Sequence, residues 1–413
     1  MTFAHLPAVV DRVRPLAERF TAAGHSLYLV GGIVRDLWLD REPGVDVDLD
    51  LTTDALPDRI KAIVGPVADA LWLQGERFGT VGARIGDHAY EITTHRAEIY
   101  RDDSRKPEVT FSTAIDEDLS RRDFTVNAMA VEVTEEALVD PFGGAADLEA
   151  KVLRTPLDVD ISFTDDPLRM LRAARFAAGY GLTPDAAVVE AMWRLRERLD
   201  IVSAERIRDE LDKLLGLATP SVGLRLLSDA ELLHRFVPEF HDPTRFAAAD
   251  RLARDPDLRL AGLFHGHAPD AVGARLGALR YSNGRRRDIA AVVGSAASLV
   301  QGDVVDAPSL RRWVAASGAA RVDARSVVLA VSPQHSAEVE RSLELESSLA
   351  EELDDLAPPL DGEAVMRVLG VGGGPVIGEA LAHLQRMRFD AGPYDAAAAE
   401  AELRRWWASR ETG

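Results

Sequence analysis

Acidic and apolar side chains alternate in the segment Asp46-Val-Asp48-Leu-Asp50, which is typical of a β-strand and which we expect to span 45–52. Because residues i and i+2 of a strand share a face, these carboxylates should point the same way. Neighbouring carboxylates repel each other, and Mg²⁺, which prefers oxygen ligands, would remove that cost. The spacing predicts a metal site but does not say which two of the three residues bind. A solvated acidic edge strand would show the same pattern.

Two adjacent glycines, Gly31 and Gly32, follow the apolar run 27–30 and open a helix that we expect over 33–39. Glycines let backbone N–H groups approach an anion closely, and the first turn of a helix favours negative charge. Arg35, one turn into the helix, could reach the same phosphate. The alternative is a plain strand-to-helix turn in which Arg35 and Asp36 pair at the surface.

Two further segments carry charges beside predicted strands. Arg121-Arg122-Asp123 precedes an apolar stretch read as a strand over 125–133, and adjacent arginines suit a phosphate clamp. A structural network of Arg and Asp is the alternative there. Glu91, within a predicted strand over 88–94, could complete the carboxylate cluster or could be an ordinary exposed strand residue.

A helix predicted over 167–180 begins at Pro167 with Asp165 or Asp166 as its N-cap. Its arginines, spaced three apart, form a stripe along one face: Arg169, Arg172 and Arg175. A carboxylate and a guanidinium together offer the acceptors and donors that recognition of a base edge requires. A surface helix with ion pairs would have the same residues.

The elements that must position these residues change character along the chain. Residues 1–150 alternate strand and helix patterns, which indicates an α/β domain with one sheet. After residue 151 nearly every segment has helical periodicity. We therefore expect a head over 1–150, a helical neck over 151–220, and a helical body and tail over 221–413.

Composition narrows the possible functions. The 413 residues contain no cysteine, which excludes disulfides, thiolate nucleophiles and Cys-bound zinc. The net charge of −20 argues against a surface that binds nucleic acid or anionic membrane throughout, although a local basic groove stays possible. No signal peptide or membrane-length apolar run is visible, so we expect a cytoplasmic protein without a membrane partner.

Taken together and in this order, the motifs resemble the class II tRNA nucleotidyltransferases, a family of CCA-adding enzymes and bacterial poly(A) polymerases with a polymerase-β-like head. The resemblance covers about 25–215 and reaches further in weaker pieces. It rests on LVGGIVRDLWL, DLDLTTDALP, ERFGTVG, YEITTHR, DLSRRDFTVNAMA, DPFGGAADLEAKVLR and DDPLRMLRAARFAAGYGL. It implies an α/β polymerase-β-like nucleotidyltransferase head with a mixed sheet, followed by an all-α neck, body and tail.

The resemblance also implies roles for individual residues. Asp48 and Asp50 would be the catalytic Mg²⁺ ligands, leaving Asp46 outside, and Glu91 would be a third catalytic carboxylate. Asp166 and Arg169 would hydrogen-bond the incoming C or A. The other nucleotide-binding residues implied are Gly31, Gly32, Arg35, Arg121, Arg122, Asp123, Asn127, Arg172 and Arg175.

The expected activity is CCA addition: transfer of C and A from CTP and ATP to the 3′ end of tRNA, with release of pyrophosphate. The alternatives are a CC-adding enzyme, an A-adding enzyme or a poly(A) polymerase on the same scaffold, a nucleotidyltransferase acting on a small molecule, or a non-catalytic tRNA-binding protein. The stretch 96–116 is similar to the full-length flexible loop of CCA-adding relatives, which disfavours CC addition alone.

We expect the helical arm to hold the acceptor stem and elbow of tRNA, with Arg285, Arg286, Arg287, Arg386 and Arg388 as candidate contacts. Many relatives carry a phosphohydrolase domain with spaced His and His-Asp ligands. Here His265 and His267 are too few for such a metal site, so we expect them to be structural.

Overall fold

The computed structural model describes residues 4–42, 49–99 and 108–411. The chain divides into two compact units, Met1–Pro238 and Glu239–Gly413. Every residue of the predicted catalytic and nucleotide-binding set belongs to the first unit, although Asp46 and Asp48 lie outside the described residues.

The head of the first unit alternates helices and strands, as its sequence pattern predicts. Its elements are α1 (Leu6–Ala22), β1 (Leu27–Val30), α2 (Gly32–Trp38), β2 (Leu49–Thr53), α3 (Pro57–Val64), β3 (Ala70–Trp72), β4 (Thr80–Ile85), β5 (His88–Thr94), β6 (Arg96–Ile99), β7 (Glu108–Phe111), α4 (Ile115–Ser120), β8 (Ala130–Glu132), β9 (Ala137–Val139) and α5 (Gly144–Ala150).

The main sheet is mixed and has the strand order β3-β4-β5-β2-β1-β8-β9. The central pair, β2 with β5, is parallel, whereas the other pairs are antiparallel. Strands β6 and β7 form a separate hairpin. The mixed sheet agrees with the predicted fold class of the head.

The two faces of the sheet differ in chemistry because side chains alternate along each strand. One face forms the core with α1 and α3 and includes Leu29, Leu51, Val81 and Ile92, all of which are almost completely buried. The opposite face carries Asp50 and Glu91, which are both exposed. The apolar face fixes the register, and the register in turn places the carboxylates on the open face.

The part of the first unit after residue 150, which extends to Pro238, consists of helices and one short parallel strand pair, β10 with β11. Its elements are β10 (Val152–Leu153), α6 (Val159–Asp165), α7 (Leu168–Tyr180), β11 (Thr183–Pro184), α8 (Ala186–Arg194), α9 (Ala204–Leu215), α10 (Pro220–Asp229) and α11 (Leu233–Phe236). Helix α7 packs against α9 and α10.

The second unit is helical throughout its described residues. Its helices are α12 (Pro243–Ala249), α13 (Pro256–Leu263), α14 (Pro269–Ala278), α15 (Asn283–Val300), α16 (Ala307–Ser317), α17 (Ala320–Val331), α18 (Ser336–Ser348), α19 (Ala350–Leu353), α20 (Gly362–Leu369), α21 (Pro375–Ala391) and α22 (Ala396–Glu411). Among the helices in the described ranges, none combines the length and apolar composition needed to cross a bilayer.

Several predicted boundaries need correction. The stretch 125–133 is not one strand: residues 125–127 form a 3₁₀ turn and the strand is only Ala130–Glu132, because the segment must bend to bring Asn127 back to Asp123. The helical periodicity of 187–199 predicts one helix there, whereas the structure has α8 followed by a 3₁₀ segment, Arg196–Ile201. Residues 45–48 of the predicted acidic strand lie outside the described residues.

Candidate functional site

Two of the predicted catalytic carboxylates lie side by side. Asp50 on β2 is the direct register partner of Glu91 on the parallel strand β5, so their side chains project from the same face of neighbouring strands. Adjacent strands are about 4.8 Å apart. Both residues are exposed. Two carboxylates at this spacing have the hard oxygen donors that a divalent cation prefers. Asp48 lies outside the described residues, and its role as a ligand stays a prediction.

The glycine turn follows β1, the strand next to Asp50. Leu29 is opposite Leu51, so the chain reaches Gly31 just beyond the level of Asp50. Gly31 has φ 74°, a left-handed conformation that disfavours other residues. A Cβ on Gly31 would lie only 2.9 Å from Nη1 of Arg122. The missing side chain therefore lets the Arg122 guanidinium approach the start of α2.

Arg121 and Arg122 are held by one buried carboxylate, Asp118 of α4. Its Oδ1 accepts a hydrogen bond from Nη2 of Arg121 at 2.9 Å, and its Oδ2 accepts one from Nη2 of Arg122 at 3.1 Å. Burial would raise the pKa of Asp118, but the two guanidinium groups lower it to about 2. Nε of Arg122 is buried without a hydrogen-bond partner among the described residues. Arg122 thus keeps donor capacity beside the glycine turn.

The guanidinium of Arg35 donates to protein groups, and one of them is Asp36, the pairing given above as the alternative to a phosphate contact. Its Nη1 donates to Oδ1 of Asn127 at 2.6 Å, its Nε donates to Oδ1 of Asp36 at 3.0 Å, and Nη2 donates to both Asp36 and the Tyr180 hydroxyl. Its guanidinium carbon lies 4.1 Å from the centre of the Tyr180 ring. Arg35 therefore connects α2 to the 125–127 turn and to α7, with its donors directed at protein groups.

Asp123 links the head to α7. Its Oδ1 accepts from the side-chain amide of Asn127 at 2.9 Å, and its Oδ2 accepts from Nε of Arg172 at 2.8 Å. Burial would raise the pKa of Asp123, but Arg172 and Asn127 hold the pKa below its usual range. The fixed position of α7 against the head depends on this charge-assisted pair.

The two residues expected to read the base lie at the start of α7. Nη1 of Arg169 donates to Oγ of Ser162 at 2.7 Å, and Nη2 donates to the backbone carbonyl of Arg121 at 2.5 Å. Oδ1 of Asp166 accepts from the backbone N–H of Leu168 at 3.2 Å. The structure therefore brings Asp166, one turn before Arg169, to the helix N-terminus, as the spacing predicts, although α6 extends through Asp165.

Two residues of α9 that the sequence reasoning missed complete this arrangement. Nη2 of Arg206 lies 2.8 Å from Oδ2 of Asp166. Glu210 is buried; its Oε2 accepts from Nε of Arg175 at 2.7 Å and its Oε1 from Nη1 of Arg172 at 3.4 Å. No local motif identifies these residues, because their partners are about 35 to 40 positions away; only the charged face of α9 gives a signal.

The structure places the remaining arginine and histidine candidates in the second unit. Arg388 is buried and donates to the carbonyls of Glu352 and Asp355. The prediction that it contacts tRNA at the surface is therefore wrong. Arg287 and Arg386 are exposed. His265 is buried, with Nε2 3.1 Å from Oγ of Ser332. Burial lowers the pKa of His265 to about 4, so it is neutral near pH 7.

Comparison with protein families identifies two matching regions. Residues 27–154 match the poly A polymerase head domain. Residues 181–242 match a family described as the probable RNA and SrmB-binding site of polymerase A. The matched regions contain Asp50, Glu91 and the Arg121–Asn127 segment, and they flank α7.

Individual relatives agree with these matches. The chain is 39% identical over 220 residues to the CCA-adding enzyme of Bacillus velezensis, covering 53% of this chain and 54% of that protein. The chain thus spans about half the length of the curated relatives it matches. The Bacillus stearothermophilus CCA-adding enzyme, solved in complex with CTP, is 26% identical with a TM-score of 0.75 and 97% of its chain covered, against 96% of this one.

A Thermotoga maritima CCA-adding enzyme solved with tRNA shares the fold, with a TM-score of 0.67 at 22% identity over 97% of this chain and 96% of that chain. The two family matches and the similarity of the whole fold all indicate proteins that add nucleotides to RNA, the poly A polymerases and the CCA-adding enzymes. Residues 27–154 therefore belong to the poly A polymerase head domain family, and the chain as a whole is similar in sequence and in fold to CCA-adding enzymes.

Proposed function

We propose that this chain is a CCA-adding tRNA nucleotidyltransferase, which transfers C and A from CTP and ATP to the 3′ end of tRNA and releases pyrophosphate. One observation carries the proposal: the paired carboxylates Asp50 and Glu91 lie on the open face of the sheet, and α7, with Asp166 and Arg169, is fastened to the 121–123 segment of the same unit. Catalysis and base recognition would then belong to one compact unit. Curated relatives that are 39% and 40% identical are named CCA-adding enzymes.

Nucleotidyltransferases of this family generally use a divalent metal, and we propose Mg²⁺ here. The described residues fit it, because Asp50 and Glu91 are exposed neighbours whose mutual repulsion a cation would relieve. Asp48 would be a further ligand. When bound, the metal would activate the 3′ hydroxyl of tRNA and neutralise charge on the α-phosphate and the leaving pyrophosphate.

The residues of the chain itself would mainly bind and orient the substrates, since phosphoryl transfer depends on positioning and charge stabilisation. The backbone of Gly31 and Gly32 and the guanidinium of Arg122 would hold the triphosphate. Asp118 keeps Arg122 directed at this turn. Five further residues would act indirectly, because their side-chain hydrogen bonds fix α2 and α7 against the glycine turn. They are Arg35, Asp123, Asn127, Arg172 and Arg175.

Base selection would follow from the chemistry of Asp166 and Arg169. The pairing edges of C and A both present an exocyclic amino donor next to a ring-nitrogen acceptor, whereas G and U present a carbonyl next to an N–H. A carboxylate accepts from the amino group and a guanidinium donates to the ring nitrogen. Because Ser162 and the Arg121 carbonyl hold Arg169, the pair would favour C and A and reject G and U.

We further propose a head over 1–150, a neck over 151–220 that reads the nucleotide, and a body and tail over 221–413 that bind the acceptor stem and elbow of tRNA without a phosphohydrolase domain. We also propose a cytoplasmic location, since nucleoside triphosphates and uncharged tRNA, the proposed substrates, are used there.

The test is to incubate the protein and Mg²⁺ with tRNA transcripts that end at the discriminator base, at C or at CC. Each transcript receives CTP and ATP together, with one of them labelled, or labelled GTP or UTP alone. We expect three nucleotides on the first transcript, two on the second and one on the third, with no use of GTP or UTP. Addition of two C only, of A only, or of a long A tail would identify the narrower alternatives. No incorporation at all would contradict the proposal.

The carboxylates are tested in the same assay. Asp48→Ala, Asp50→Ala and Glu91→Ala should each lose nearly all incorporation while tRNA binding stays close to that of the wild type. Asp87→Ala is the matched control, because Asp87 is an exposed carboxylate in the turn between β4 and β5. Full activity of the Asp48 and Asp50 variants would overturn the assignment of the metal ligands.

A further inference from the structure

The open face of the sheet carries an aromatic residue in the same row as the carboxylates. Trp72 on β3 is the register partner of Gly82 on β4, Gly82 is the partner of Glu91 on β5, and Glu91 is the partner of Asp50 on β2. Direct register partners project from the same face of a sheet. Trp72 therefore lies on the face of the carboxylates, two strands from Glu91.

The indole of Trp72 covers the intervening glycine. A Cβ built on Gly82 would lie 1.8 Å from Nε1 of Trp72 and 2.1 Å from Cε2, so the ring occupies the space that a side chain at position 82 would fill. The ring thus leans from the edge strand toward Glu91. It is still 37% exposed, which leaves aromatic surface open beside the carboxylates.

The strand order places this ring on a defined side of the reaction centre. In the order β3-β4-β5-β2-β1, the glycine turn after β1 lies on one side of Asp50 and Trp72 lies on the other. In phosphoryl transfer the attacking oxygen and the leaving group are roughly in line on opposite sides of the phosphorus. If Gly31, Gly32 and Arg122 hold the triphosphate, a 3′ end that approaches from the side of Trp72 would lie opposite the leaving group.

We infer that the terminal base of the tRNA 3′ end stacks on the indole of Trp72, which positions the attacking hydroxyl beside Glu91. This inference rests on the proposed function. It adds to the proposed site a residue, Trp72, that binds the end of the tRNA. Single-stranded ends of RNA are commonly recognised by stacking on aromatic side chains, and such stacking tolerates any base. That tolerance suits a site where the terminal base changes from the discriminator to C during the reaction.

The test uses a tRNA transcript that carries 2-aminopurine as its terminal discriminator base, bound to the full-length protein without nucleotide. Stacking quenches the fluorescence of 2-aminopurine. The wild type and Trp72→Phe should quench it, whereas Trp72→Leu should not, because leucine can still pack on Gly82 but cannot stack. Trp193→Leu is the matched control, since Trp193 of α8 is 52% exposed and away from this row.

Steady-state kinetics give a second readout. Trp72→Leu should raise the KM for tRNA by about tenfold, the size expected for one stacked base, with the KM for CTP unchanged and with recovery in Trp72→Phe. Equal behaviour of the Leu and Phe variants, or quenching by Trp72→Leu, would overturn the inference and show a packing role. Wild-type protein that adds no nucleotide would instead contradict the proposed function, whatever the quenching shows.

Discussion

Single residues in this site act largely by restraining other charged residues. Asp118 orients Arg122, Asp123 orients Arg172, and Asn127 accepts from Arg35. Each pair is partly or fully buried, where a lost partner leaves a charge without compensation. Substitutions of the acidic partners should therefore affect stability as well as nucleotide binding.

Gly31→Ala should lose stability and nucleotide affinity together. The new Cβ would lie 2.9 Å from Nη1 of Arg122 and the residue would keep φ 74°, so backbone strain of about 1–3 kcal/mol adds to displacement of the guanidinium. Gly24→Ala is the matched control, because Gly24 has φ 82° with nothing within 4 Å of a new Cβ. Chemical denaturation should show a loss in both variants, and only Gly31→Ala should raise the KM for CTP. An equal KM in both would argue against the role of Arg122.

Asp118→Asn should destabilise the protein in a pH-dependent manner. The pKa of Asp118 is lowered from 3.8 to about 2, so its charge contributes stability that is fully present above pH 3.8 and is lost as the pH falls toward 2. This shift of the Asp118 pKa corresponds to about 2 kcal/mol of stability at pH 7 and to roughly half of that at pH 3. Free energies of unfolding from urea titrations at pH 7, 5 and 3 measure it. Glu190→Gln, at an exposed position of α8, should show little change. A loss that grows at low pH would contradict this assignment.

At the scale of elements, α9 supports α7 although it carries none of the residues assigned to base reading by the sequence. Glu210 accepts from Arg172 and Arg175, and Arg206 pairs with Asp166. Burial would raise the pKa of Glu210, but Arg175 and Arg172 hold the pKa below its usual range. The orientation of α7 is thus stabilised by contacts with α9.

Glu210→Gln should cost about 3 kcal/mol, because it leaves two partly buried guanidinium groups without their shared carboxylate. It should also weaken the preference for CTP and ATP over UTP and GTP, since α7 loses a support. Asp209→Asn, one position away, is the control: Asp209 is exposed and pairs with its neighbour Arg208. Thermal melts and misincorporation of UTP are the measurements. Unchanged selectivity in a folded Glu210→Gln protein would show that α9 contributes stability alone.

Prediction from sequence worked where a local pattern determines the structure. The apolar run 27–30 and the strand predicted over 88–94 coincide with β1 and β5, and the alternation along the acidic strand correctly placed Asp50 on a face with other acidic residues. The 3₁₀ turn at 125–127 was missed, because its bend depends on Asp123 and Asn127 meeting Arg172 and Arg35 in the folded chain. The contact of Arg35 with Tyr180 was missed for the same reason, because Tyr180 is 145 residues away.

At the scale of the whole molecule, a chain of net charge −20 must bind a polyanion if the proposed function holds. Local arginines must then outweigh the overall repulsion, and binding should weaken as salt rises. The candidates in the second unit differ in exposure, since Arg287 and Arg386 are exposed whereas Arg388 is buried.

Alanine substitutions of Arg287 and Arg388 should distinguish an arginine that binds RNA from one that stabilises the fold. Arg287→Ala should reduce the slope of log affinity for tRNA against log salt by about 0.7–0.9, as expected for one lost phosphate contact. Arg388→Ala should leave the slope unchanged but lower the melting temperature, because Arg388 donates to two backbone carbonyls that would lose their partner. Filter binding from 50 to 300 mM KCl measures the slope. An unchanged slope for Arg287→Ala would remove that residue from the RNA contacts.

If the proposed function holds, the division of the chain at residue 238 has a consequence for how the protein can diversify. The carboxylates, the glycine turn and α7 all precede the boundary, so the first unit would select the nucleotide that is added. Mutations after the boundary would then change which RNAs are bound, while the added sequence would stay the same.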